Sequence, residues 1–198
     1  MAFNINEFRS NISKSGYLQN NKYEVIITPP PAMQNFGTEK GIARAQDAAK
    51  LMTFRTSTFE APGIGLKSVD IIRYGTGTSQ RMPFSAKFED ITFEVLLDKN
   101  SELWNFWYEW ERLIFKFSPF NSVGLAPYVT EYKRNYATTI DLKVYSQEGK
   151  VSAEFKFIDI YPISIKEVEL HWEEQSELAK LEITMNYKEY TLKTTTTP

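Results

Sequence analysis

The sequence contains no cysteine and a single histidine, His171. The missing cysteines remove disulfides, thiolate nucleophiles and most structural zinc sites together. With one imidazole, any Ser–His triad or multi-histidine metal site depends on that residue. A third class of function, a carboxylate hydrolase, has paired acids available at Glu89–Asp90 and Glu173–Glu174. Neighbours on a strand point to opposite faces, however, and charged turns are normally just solvated. No acidic loop carries the ligand spacing of a calcium-binding EF-hand. GTGTS at 75–79 lacks the GK[ST] ending of a phosphate loop. We therefore expect no catalytic residue, no metal and no cofactor.

Charge of one sign is also missing. With 25 acidic against 23 basic side chains the formal net charge is −2, which supplies no long-range field to hold DNA. No apolar run approaches the roughly 18 residues that suggest a membrane span, so no stable membrane insertion is expected. MAFNINEFRSNISKSGY at the start lacks the basic and apolar regions of a signal peptide. The expectation is a soluble protein made in a cytoplasm.

What the chain does have is apolar and aromatic side chains, 42% and 15%, too many for a disordered chain. The 198 residues are ample for a full core. An N-terminal arm (1–21) carries Phe3, Phe8, Ile12 and Tyr17 among Asn and Ser. It reads equally as a frayed leader or as an arm that docks on a neighbour. One β-rich domain over 22–191 follows, then a Thr-rich tail (192–198), expected to be loose unless a neighbour pairs with it.

Within the domain, KYEVIIT (22–28) reads as a strand stopped by Pro29–Pro31. A short Ala-rich helix, about 38–51, reads as a surface insertion, and the stretch from Thr53 to the Ala61–Pro62–Gly63 break as a strand. The one long amphipathic helix, about 101–116, has a stripe of Leu103, Trp107, Trp110 and Ile114, with Asn100 or Ser101 as cap. That spacing predicts core anchors, each contributing roughly 1.5–3 kcal/mol on burial. Strands follow at 137–146 and 150–161, the latter with Phe155 and Phe157 on one face. Between them, Gln147–Gly149 forms a tight turn. Next come 166–172, with Trp172 as a further core anchor, and 180–192. Pro162 interrupts FKFIDIYPISIKEV, and since proline has no N–H for a ladder it reads as a strand end and corner. The fold class is mainly β: a barrel or sandwich of antiparallel strands flanked by one long helix, with a short helical insertion.

The hairpin at 67–88 is the unusual element. Its faces mix polar and apolar residues: Asp70, Ile72 and Tyr74 on one, Val69, Ile71 and Arg73 on the other, with Arg81, Met82 and Phe84 on the return strand. A sheet with one face in a core alternates more cleanly. These residues are candidates for an assembly joint, and Asp70, Thr76, Thr78 and Ser79 for a polar channel surface. The bland alternative is a solvent-exposed hairpin with no partner. A second function class is a carbohydrate-binding β-domain that stacks sugars on Trp104, Trp107, Trp172 or the tyrosines.

FIDIYPISIKEVELHWEEQSELAKLEITMNY (157–187) resembles the C-terminal signature of tail tube proteins from contractile-tailed bacteriophages. The matching features are Tyr161–Pro162, Glu169–Leu170–His171–Trp172, the acidic Glu173–Glu174 turn and the final strand from Leu181 to Tyr187. RMPFSAKFEDITFEVLLDKNSELWNFWYEWERLIF resembles the family's strand–helix unit, and the 61–63 turn its proline-containing turn. The leader and PISI (162–165) also resemble the baseplate tube-initiator relatives; the helical insertion and the 118–131 loop depart from the pattern. The resemblance implies a non-enzymatic structural subunit. Six copies would form a ring whose inner sheets join into one barrel, with rings stacking into a tube that conducts DNA. The implied partners are further copies of the chain and sheath, baseplate or tube-initiator subunits, and the implied location is the virion tail. The corresponding hairpin of the family helps build the shared barrel.

Overall fold

The computed structural model describes residues 17–33, 45–72, 75, 77–117, 128–168 and 178–194. β1 (Tyr23–Ile27) buries Val25 and Ile27. After the prolines and a 3-10 turn (Pro31–Met33), α1 (Ala45–Arg55) buries Ala45, Ala48, Ala49 and Met52. These small side chains let the helix lie close against β1 and the long helix. It is thus not a surface insertion, and it ends at Arg55 rather than Leu51. Thr53 and Thr56, strand-formers by propensity, each donate a hydroxyl to the carbonyl four residues earlier (3.5 and 2.9 Å). The packed alanine face outweighs their weak intrinsic preference.

The body is a sandwich of two antiparallel sheets that share one strand. β2 (Thr56–Phe59) pairs with β5 (Ile91–Leu96), and β5 with β10 (Lys180–Asn186). β1 pairs with β8 (Thr138–Tyr145), which pairs with β9 (Val151–Ile165). The β8–β9 turn places Gly149 at φ 79°, where a Cβ would strain the backbone. β9 belongs to both sheets. Its first part lies between β8 and β11 (Glu189–Thr194), and its last residues pair with β10. The strand order β1-β8-β9-β10-β5-β2 ends at β1 and β2, which do not pair with each other, so the sheets form a sandwich and not a closed barrel.

The corner lies where the proline pointed, but the strand does not stop at Pro162. Asp159 has φ 55° and is an extra residue between the Ile158–Thr139 and Ile160–Thr138 pairs. A second irregularity leaves Ile163 unmatched between the Ser164–Thr184 and Pro162–Met185 pairs. The two bulges bend β9 from one sheet into the other. β8 ends its pairing at Ile160, so beyond that point β9 is an edge on one side. A proline there forfeits no ladder bond on the open side.

The run 180–192 is likewise two strands. β10 ends at Asn186, and the chain crosses at Tyr187–Lys188 to put β11 beside β9. Leu192, Lys193 and Thr194 pair with Phe155, Glu154 and Ala153, so the tail is ordered through Thr194. Residues 166–168 form no strand; the rest of that expected strand, with His171 and Trp172, lies outside the described residues. Phe3, Phe8 and Ile12 also lie outside them, and Tyr17 is exposed.

α2 (Glu102–Ile114) covers the core with Leu103, Phe106, Trp107 and Trp110, none more than 2% exposed. Ile114 and Phe155 pack partly buried at its margin, and Phe157 is fully buried. The rings of Trp107 and Trp110 stack at 5.3 Å, and Phe93 meets Trp107 edge-on at 5.7 Å. Trp110 Nε1 donates to Tyr136 O at 2.9 Å. The helix stops two residues short of expectation because Phe115–Phe117 become β6, paired with β7 (Tyr128–Thr130). A one-turn helix, α3 (Lys133–Tyr136), leads into β8.

Neither Asn100 nor Ser101 provides the cap. Ser101 sits at φ 57° and makes no side-chain cap bond. Instead Asp98 accepts N–H bonds from Asn100, Glu102 and Leu103, each at 3.0 Å. Partial burial alone pushes the Asp98 pKa up, but these backbone bonds outweigh it and hold it below the usual carboxylate value.

Candidate assembly interface

β3 (Ile64–Ile71) and β4 (Gln80–Phe88) form a two-stranded hairpin that pairs with no other strand among the described residues. The break at Ala61–Gly63 frees the chain from the body, and Gly75 and Gly77 take positive φ at the turn. Phe88 anchors the base, its ring 5.9 and 5.7 Å from Tyr187 and Tyr190. Beyond it nearly every residue of both strands is exposed.

The register resolves the mixed pattern of the faces. Ile64 pairs with Phe88, Leu66 with Ala86 and Lys67 with Ser85; after a shift, Ser68 pairs with Pro83, Val69 with Met82 and Asp70 with Arg81. Phe84 is the extra residue, a β-bulge. Alternation then puts Ile64, Leu66, Ala86 and Phe88 on one face near the base, continuing outward to Asp70 and Arg81. The opposite face has Lys67, Ser85 and Lys87 near the base and Val69, Ile71 and Met82 near the tip. The apolar surface therefore changes sides along the hairpin. Leu66 and Phe84 are 66% and 67% exposed, values no core position tolerates. Arg81 Nε reaches Asp70 Oδ1 at 3.3 Å, an exposed pair worth at most about 1 kcal/mol.

Of the sequence candidates, Val69, Asp70, Ile71, Arg81, Met82 and Phe84 lie together on this hairpin, with Ile72 one residue past the last pair. Thr78 and Ser79 are exposed at its tip, while Arg73, Tyr74 and Thr76 lie outside the described residues. Ile64 and Leu66 were missed; their alternation about Gly65, directly after the proline turn, was the available signal.

A second surface was not legible at all. On the solvent face of the first sheet, register aligns Glu24, Lys143, Glu154 and Lys193 in one row, and Ile26, Asp141, Lys156 and Thr191 in the next. Signs alternate across all four strands in the first row and between β8 and β9 in the second, so the face is polar but nearly neutral. Tyr145 donates its hydroxyl to Glu24 Oε2 at 2.5 Å, a bond that pushes the phenol pKa up. The outer edges of β1 and β11 have no described strand partner.

An open apolar groove of about 260 Å³ separates Glu111, Ile114 and Phe115 from Pro162–Ile165. It offers no convergent polar set. Among the described residues no three His, Asp or Glu side chains cluster as metal ligands. Asp90 accepts a bond from Asn186 Nδ2 at 2.7 Å. Trp104 is exposed on α2 together with Tyr108, one turn on, and Trp107 is buried. No described helix is long and apolar enough to cross a membrane.

This fold has known counterparts. The family model for phage tail tube proteins matches residues 18–193. The chain belongs to the phage tail tube protein family. Two solved structures share its fold at low identity. One is from the extended sheath–tube complex of the extracellular contractile injection system PVC: 12% identity, 98% of this chain and all of that one covered, TM-score 0.58. The other is from the tube-terminating cap of the anti-feeding prophage: 15% identity, 90% and 92% covered, TM-score 0.59. No curated protein matches the chain.

Proposed function

We propose that this tail tube protein is a non-enzymatic structural subunit of the virion tail, made in the host cytoplasm. Its copies close into rings, six-membered by the resemblance, and the rings stack into a channel through which DNA passes. Sheath and baseplate proteins are its other partners, and it needs no cofactor. The observation that carries this reading is the β3–β4 hairpin, apolar and exposed on a body that leaves it unpaired. Exposed edges and apolar patches of this kind mark protein interfaces, and a closed ring of joined edges removes the liability.

The polar face of the first sheet suits the channel wall. Its alternating rows carry little net charge, so phosphates would pass without being held. Asp70, Thr78 and Ser79 at the hairpin tip are further candidates for the conducting surface.

The test is assembly. Concentrated protein should give rings or tubes by negative-stain microscopy. Val69→Pro removes a side chain and a backbone donor opposite Met82 and should leave a folded monomer. Wild-type protein that stays monomeric at every concentration would overturn the proposal. Rings that never stack would instead favour a baseplate tube-initiator.

A further inference from the structure

We infer that the N-terminal arm docks on its own subunit, seating Phe8 and Ile12 in the apolar groove between the end of α2 and the last residues of β9. The inference needs no second copy, so it stands or falls separately from the ring-and-tube reading above. The groove, about 260 Å³, has Ile114 and Phe115 on one wall and residues 161–165 on the other. Ile163 is 48% exposed in it. β8 stops pairing at Ile160, so from Tyr161 onward the side of β9 turned away from β10 has no described strand partner. An apolar trough beside a helix and a strand edge receives a short segment with one apolar face.

The arm has the sequence of such a segment. Ile5, Phe8 and Ile12 recur at i, i+3 and i+7 among Asn, Ser and charged residues, the spacing of one apolar helical face. Burying each contributes roughly 1.5–3 kcal/mol that exposure to water forgoes. Charge matches as well. Glu111 lines the groove, and no described cation pairs with its carboxylate, since Arg112 is held by Glu109. Arg9 directly follows Phe8, and residues 1–16 hold Arg9 and Lys14 against Glu7 alone, a net +1.

Length permits the docking. Lys22 O accepts the Tyr145 N–H, which fixes the exit of the arm near the β8–β9 turn. From there the path to the groove follows β8 to Thr138 and then β9 from Ile160 to Ile163, roughly 35 Å at about 3.4 Å per residue. Residues 9–21 separate Phe8 from Lys22, and fully extended they span about 45 Å. A tether of this length holds the arm near its own groove at an effective concentration of about millimolar, above what a second copy reaches in dilute solution.

The lack of cysteine makes the test direct. The double variant Asn11→Cys, Ser164→Cys keeps Phe8, Ile12 and Ile163 and should be linked within one chain by a short bismaleimide. The control is Asn11→Cys, Leu192→Cys. Leu192 is also exposed and pairs with Phe155, nearer the exit of the arm, so an undocked arm meets it first. Linking to position 164 should be at least tenfold faster than to position 192. In a mixture of unlabelled and nitrogen-15-labelled protein, mass spectrometry should find linked peptides that carry one label each. Phe8→Asp, which leaves the body unchanged, and Ile163→Asp should each slow linking about tenfold or more by placing a carboxylate in the apolar contact. Should Ile163→Asp fail to fold, Ile163→Ser replaces it. Arg9→Glu should slow linking by up to about fivefold, as for an exposed ion pair, and adding Glu111→Arg should restore it. Equal rates at positions 164 and 192, an unchanged rate in Phe8→Asp, a charge swap that restores nothing, or a majority of mixed-label peptides overturns the inference. Protein that passes this test and yet forms no rings fails the tube reading alone.

Discussion

Asp98 shows how much one side chain can hold. Its carboxylate satisfies N–H groups of Glu102 and Leu103 that open α2, and of Asn100 in the preceding turn. A free helix start leaves such donors orphaned. Asp98→Ala should therefore cost about 1 kcal/mol, read from urea unfolding at neutral pH. The native carboxyl titrates below its unfolded value. Its contribution is therefore complete above the unfolded pKa of about 3.9 and is lost as pH falls through the lower folded pKa. The wild-type advantage over Asp98→Ala should shrink on acidification below about pH 4; an advantage unchanged down to pH 2 would show that the charge is irrelevant. Trp107 is the opposite kind of residue, apolar contact on every side, stacked on Trp110 and met edge-on by Phe93. Trp107→Ala should cost roughly 3–5 kcal/mol, and a variant melting with the wild type would contradict the packing described.

At the scale of elements, β9 decides the architecture, because it alone belongs to both sheets. Its bend rests on Asp159 at φ 55°, a conformation that Asp and Asn tolerate and β-branched residues resist. Asp159→Val should destabilise the body by roughly 1–2 kcal/mol, whereas Asp159→Gly should be close to neutral. Equal stabilities for the two variants would mean that the left-handed turn is not what bends the strand. The alternation around Pro162 was readable, and so was a corner. That the strand continues was not, because the proline's tolerance depends on where β8 ends, a contact made across the sheet. The split of 180–194 into β10 and β11 has the same cause: both strands alternate alike, and only their partners differ.

For the whole molecule, the proposed assembly would be linked to stability. Anything that binds the folded subunit and not the unfolded chain raises its apparent stability with concentration. Melting temperature should rise with protein concentration for the wild type and stay flat for Val69→Pro. Matching curves for the two would separate the hairpin from assembly.

Short-range pattern determined much of this protein by itself. The absence of cysteine and the single histidine limit the thiol and imidazole chemistry the chain can offer, and the balanced charge gives it no strong long-range field. Helical spacing picked out Leu103, Trp107 and Trp110, which the structure buries, and period-two alternation picked out the β8–β9 hairpin. These are local signals, carried by residues a few positions apart. Tertiary structure decided the rest. Glu24, Lys143, Glu154 and Lys193 form one row only through three strand registers. That Met82 shares a face with Val69 while Ala86 shares the other with Leu66 follows only from the shift at Phe84. A slip of one residue moves every side chain to the other face, and that register is set by pairing between residues far apart in the chain, which no local pattern records.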